Sequence, residues 1–274
     1  VDLDPEHGAV AVQGPAVQIL QLLGIDDMLV FVAALARVAP LFLIAPMFSS
    51  KQVPTQVRAV AAVALAMGLT PAADPGIKLA TGAPDVLGML AVEFLVGFAV
   101  AYALLAISAA LETAGTFLDS TIGFSFGAQI DPISGNNNAV LARLYGLMGV
   151  TIFITIGGDQ WVVEAMARTY ELVPIGEQPD VGRLVGGADR TFATIFTSAL
   201  QVAAPVLLAL VLTDAGFGLV TRVVPQLNIF SVGLPTKILV GMLLIGITFP
   251  LVAPWVEREL ERSVGAALQS LRVA

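Results

Sequence analysis

Three charged side chains stand where charge is costly. Arg37 and Glu93 lie inside long apolar runs, and Lys237 opens another. A charge so placed must face a partner, backbone carbonyls or water. Arg37 and Glu93 can neutralise each other or a charge on another subunit. The same residues also admit proton coupling, and of the two we favour a structural ion pair. A cation at the start of a helix opposes the local dipole, so Lys237 needs compensation. Snorkelling to headgroups or water would supply it, as would a contact with another subunit. Beyond these three the chain holds little that reacts. It has no cysteine, which excludes disulfides, thiolate nucleophiles and sulfur-ligated metals. His7 is the sole histidine, so neither a histidine-based metal site nor a Ser-His-Asp triad can be assembled. No GxxxxGK[ST] nucleotide loop is present. We therefore expect no catalysis, no cofactor and no metal.

The elements that carry these charges must be apolar helices. The chain is 57% hydrophobic and 12% charged, whereas a soluble domain has about a quarter of its residues charged. That shortfall points to an integral membrane or membrane-assembly protein. The formal charge of −8 argues against a nucleic-acid partner. Six apolar runs are visible: residues 28–47, 57–69, 86–111, 140–157, 192–212 and 236–255. The first is interrupted by Pro40 and Pro46, which should bend it. The second is too short for a lone crossing: at a rise of about 1.5 Å per residue it reaches about 20 Å of a roughly 30 Å hydrocarbon layer. Gly157 and Gly158 should stop the fourth run, and Pro250 and Pro254 should close the sixth. Residues 159–170 and 256–274 read as amphipathic helices. The acidic start, residues 1–24, reads as a mobile segment and a short helix rather than a signal peptide. The expected fold class is all-α, a polytopic membrane-assembly protein of kinked helical hairpins.

Between the third and fourth runs lies an unusual stretch, residues 115–138, reading GTFLDSTIGFSFGAQIDPISGNNN. It is rich in Gly, Ser, Thr and Asn, hence a poor helix former. Yet Phe117, Ile122, Phe124, Phe126 and Ile130 do not suit a solvated loop. Irregular backbone at membrane depth is tolerated only where protein buries it or where it lines a water-filled cavity. We expect a central loop folded into a helical assembly. Its apolar side chains would help close a pore, and Asn136–Asn138 would form either a plain turn or the cap of the helix that opens at Ala139 or Val140.

In order, these features resemble the FliR family of flagellar export-gate proteins and its injectisome counterparts. The likeness rests on Arg37-Val38-Ala39-Pro40-Leu41-Phe42, on Val53-Pro54 with Arg58, on Gly123-Phe124-Ser125-Phe126 with Asp131-Pro132, and on Gly157-Gly158 with Pro174-Ile175-Gly176. Its most specific element is Pro225-Gln226-Leu227-Asn228-Ile229-Phe230 followed by Pro235-Thr236-Lys237. The resemblance implies a FliP-like half fused to a FliQ-like half, packed in a helical, largely raised assembly. The division would be an N-terminal extension, residues 1–27; a FliP-like part, 28–190; a FliQ-like hairpin, 191–256; and a charged tail, 257–274. One such chain would join about five FliP-like and about four FliQ-like subunits, as the odd member of a head-to-tail ring. FlhB-like and FlhA-like export components, unfolded substrates and membrane lipid would be its other partners, at the flagellar basal body in the bacterial inner membrane. The loop would be a plug, with Gly123, Phe124, Phe126, Gln129 and Ile130 in the pore. Gln129 stands where a second bulky apolar residue is expected. Gly115 and Gly127 would supply backbone freedom, and Asp131-Pro132 would set the exit. Pro225, Gln226, Asn228, Phe230, Pro235 and Lys237 would contact neighbouring subunits. The rival reading from another class is a small-solute secondary transporter, with Arg37 and Glu93 as its midplane site.

Overall fold

The computed structural model describes residues 25–49, 53–73, 82–124, 139–224, 226 and 229–271. Among them there are only helices and connections. These are α1 (Ile25–Ile44), α2 (Thr55–Leu69) with a 3-10 turn (Thr70–Ala72), α3 (Ala83–Ile122), α4 (Val140–Thr155), α5 (Gly158–Leu172), α6 (Val181–Val223) and α7 (Ile229–Leu271).

Helix α3 is the axis of the molecule. Its 40 residues reach about 60 Å, twice the hydrocarbon thickness of a bilayer. It packs against α1, α4, α5, α6 and α7. Small residues make the close crossings possible, the usual device where lipid removes the hydrophobic drive for helices to associate. A Cβ on Gly97 would strike the Arg37 backbone carbonyl on α1, and one on Gly115 would strike the backbone of Leu141 and Ala142 on α4. Around the first part of α3, a core gathers Val38 and Leu41 of α1, Ala66 of α2, Met166 of α5 and Leu260 of α7 onto Val100 and Leu104. Around its second part, Leu141 and Tyr145 of α4, Ala203 and Leu210 of α6, and Ile245 and Val252 of α7 close over Leu111, Leu118 and Ile122.

Several expected boundaries are corrected. The third helix does not end at residue 111. It runs through Gly115 and Phe117 to Ile122, so the first eight residues of the expected loop are helical. Packing explains this: Ala114, Gly115, Leu118 and Ile122 are fully enclosed by neighbouring helices, which outweighs weak intrinsic propensity. Pro250 and Pro254 do not close the last apolar run. One helix continues from 229 to 271 with Pro235, Pro250 and Pro254 inside it, merging the hairpin arm with the expected separate tail. All three prolines lie at exposed positions of the helix. Helix α6 likewise absorbs Pro205 and the polar residues 181–189. The six runs are not six crossings. Three helices, α3, α6 and α7, are long and apolar enough to span a membrane, and a fourth span is available if α4 and α5, bent by 73°, count as one. The bend falls at Gly157, whose φ of +71° ends α4.

Candidate functional site

The loop between α3 and α4 has a clamped mouth. Gly123 caps α3 with φ +104°, a left-handed conformation that costs glycine little. The N–H groups of Gly123 and Phe124 both donate to the Asp119 carbonyl oxygen, at 3.1 Å each. The Asp119 side chain, nearly fully buried, accepts from the Leu141 N–H at 3.2 Å, in the first turn of α4. One residue thus holds both the departure and the return of the chain. Phe124 packs partly against the second core beside Phe117. The N-cap of α4 is Ala139, which makes no side-chain cap bond, and Asp119 reaches across from α3 to the Leu141 N–H. Asp119 was missed by sequence reasoning. Its only signal was an acid four residues ahead of a glycine helix stop. Phe126, Gly127, Gln129, Ile130, Asp131, Pro132 and the asparagines 136–138 lie outside the described residues. Gly115 is no hinge, because it is locked in the α3–α4 crossing.

The two charges of the apolar runs do meet. Arg37 Nε donates to Glu93 Oε2 at 2.6 Å and Nη2 lies 2.5 Å from the same oxygen, with both side chains fully buried. Glu93 Oε1 accepts from the Gly176 N–H at 3.0 Å. Arg37 Nη1 donates to Thr169 Oγ1 at 3.3 Å, and its guanidinium carbon sits 4.2 Å from the centroid of the Tyr170 ring. α1, α3, α5 and the connection before α6 therefore converge on one buried polar cluster. Such a pair is sustained by its extra hydrogen bonds and the π face, since attraction alone rarely offsets desolvation. Thr169 and Tyr170 were not singled out from sequence, and nothing in their local pattern marks them.

Lys237 finds its compensation inside the chain. Its Nζ lies 2.9 Å from Asp214 Oδ2 on α6, bridging the hairpin near its tip. On both sides of this level the hairpin exposes large apolar residues: Leu219 and Val223 towards the tip, and Leu212, Leu239 and Leu243 on the other side of the bridge. Gln226 lies in the exposed turn and Pro235 on the surface of α7. Pro225 and Asn228, and the side chain of Phe230, lie outside the described residues. Among the described residues no group of histidine, cysteine or acidic side chains could hold a metal.

Comparison with known proteins gives one consistent result. The family described as Bacterial export proteins, family 1, matches residues 28–263. The flagellar biosynthetic protein FliR of Escherichia coli (strain K12) is 31% identical over 230 residues, covering 81% of this chain and 85% of that protein. FliR of Bacillus subtilis (strain 168) is 28% identical, covering 81% and 86%. The surface presentation of antigens protein SpaR of Shigella flexneri is 26% identical over 212 residues, covering 76% and 80%.

Proposed function

The chain belongs to the FliR family of bacterial export proteins, and on that footing we propose that it completes a type III protein-export gate and supplies the plug that closes it at rest. As a member of that family it is an all-α membrane component of an export apparatus, related to both flagellar and SpaR-type proteins. The observation that carries the finer reading is the clamped loop mouth. Asp119 ties Gly123, Phe124 and Leu141 together at the end of the most enclosed helix, so the segment between them springs from a rigid collar. The loop's Phe124, Phe126 and Ile130 are suited to a narrow apolar constriction, which excludes water and ions by dewetting. Gly127 would give it freedom, Asp131-Pro132 would set its return, and Gln129 stands where a second bulky apolar residue is expected.

The ring partners are FliP-like and FliQ-like subunits, with FlhB-like and FlhA-like components below and unfolded chains as cargo. The site is the inner membrane at the flagellar basal body. The exposed hairpin around Pro225, Gln226, Asn228, Phe230, Pro235 and Lys237 is the surface these neighbours would cover. The transporter reading is weakened by the cluster at Glu93: both charges it would use are occupied by each other, by Gly176 and by Thr169.

The test is ion leakage through the assembled gate. Phe124→Ala with Phe126→Ala, or deletion of residues 123–129, should raise conductance while the complex keeps its normal subunit ratio. Unchanged leakage in an intact complex would leave only a scaffold. Solute uptake by the purified chain alone would revive the transporter.

A further inference from the structure

Beyond Leu95, the exposed positions of α3 are Glu112, Thr116 and Ser120. All three are polar, and at intervals of four they form one stripe that runs towards the loop mouth. The hydroxyls of Thr116 and Ser120 satisfy their donors on their own helix, through the carbonyls of Glu112 and Phe117. Glu112 has no ion-pair partner among the described residues. Arg143 of α4, also exposed and without an ion pair among the described residues, lies one turn from Gly146, the residue that Glu112 flanks.

The height of this stripe decides its meaning. Helices α3 and α6 run side by side in the same direction: Leu184 packs near Val96, and Leu210 and Ile122 both approach Gly241 of α7. Thr116 and Ser120 therefore stand level with the apolar stretches of the hairpin, where Leu208, Leu243 and Ile247 are exposed. At one height the molecule shows an apolar outer face on α6 and α7 and a polar face on α3. Unpaired charge is not sustained against hydrocarbon, whereas a water-filled cavity accepts it.

We propose that Glu112, Thr116 and Ser120 form the wall that this chain contributes to the aqueous passage, directly ahead of the plug. The wall would contact hydrated cations and the polar backbone and cationic side chains of passing polypeptide. This rests on the gate reading and locates the conducting face of the chain.

Single cysteines at Glu112, Thr116 and Ser120, and at the control positions Leu208 and Leu243, would be probed in the assembled complex with a membrane-impermeant maleimide. The three stripe positions should label about tenfold faster than the controls, because the reactive thiolate is stable only in water. Labelling in the isolated chain that is lost on assembly would mean a partner covers the stripe, and would overturn the proposal. Equal rates at all five positions would overturn it too. In a gate deleted for residues 123–129, Glu112→Lys should lower the preference for cations over anions. If that deleted gate does not conduct while the stripe still labels, the plug reading fails and the wetted face stands. If it conducts but Glu112→Lys leaves ion preference unchanged, the stripe is not in the path.

Discussion

The body around α1–α5 and the α6–α7 hairpin handle the same apolar composition in opposite ways. In the most apolar stretch of α3, 61% of residues are buried within the chain; in α6 and α7 the shares are 28% and 17%. The body encloses the Arg37–Glu93 pair completely. The hairpin places Lys237 and Asp214 at its surface, where Asp214 is half exposed. The glycines differ in part. Gly97 and Gly115 of the body sit in backbone-tight helix crossings, whereas Gly216 and Gly218 of the hairpin have nothing within 4 Å of where a Cβ would be; Gly68 and Gly88 of the body are equally open, and Gly241 of α7 is packed against Ile122 of α3. The body encloses more of its own apolar surface than the hairpin does, although Leu43, Val60, Met67 and Ile154 of the body are exposed as well.

The largest effect that would test this contrast comes from the buried pair. Arg37→Ala or Glu93→Ala alone should destabilise the body by about 3–5 kcal/mol, since each strands a buried charge. The double change Arg37→Met with Glu93→Leu should recover most of that. Thermal unfolding of the full chain in detergent would read it, and a double variant no better than either single would show that the cluster matters for its shape rather than its charge. Next comes glycine. Gly97→Ala should cost about 1–3 kcal/mol by pushing α1 off α3, while Gly216→Ala should be neutral or stabilise the isolated chain by up to about 1 kcal/mol. If Gly216→Ala nevertheless lowers the yield of assembled complex, the hairpin glycines are reserved for neighbours. The smallest effect belongs to the surface bridge. Lys237→Ala should change stability of the single chain by about 0–1 kcal/mol. Lys237→Glu, which sets two acids face to face, should weaken assembly measurably if neighbours cover this part of the hairpin. Normal subunit ratios in that variant would remove Lys237 from the contact surface.

The fold class was legible because composition alone points away from a soluble chain, and the apolar runs mark where α3, α6 and α7 lie without giving their full length. Boundaries were less legible, for a physical reason in each case. Residues 115–122 look like loop by propensity, but three helices, α4, α6 and α7, close over Leu118 and Ile122 and keep them helical. Pro250 and Pro254 look like a stop, yet a long helix held by packing on either side passes through them. At the site, Arg37 and Glu93 announce themselves as charges in apolar runs. Their other partners do not, because Thr169 is 132 positions from Arg37 and Gly176 is 83 from Glu93. Asp119 reads as an ordinary polar residue near a helix end, and only the return of α4 gives it a second task.

The wide spacing of that buried cluster bears on how the protein is made. A ribosome adding about 5–20 residues per second needs on the order of 4–16 s to travel from Glu93 to Gly176. Throughout that interval the nascent chain carries Arg37 and Glu93 without the groups that later enclose them. Insertion machinery or chaperoning lipid must shelter the two side chains until α5 is delivered, so truncation before residue 169 should yield fragments that are degraded rather than stored in the bilayer.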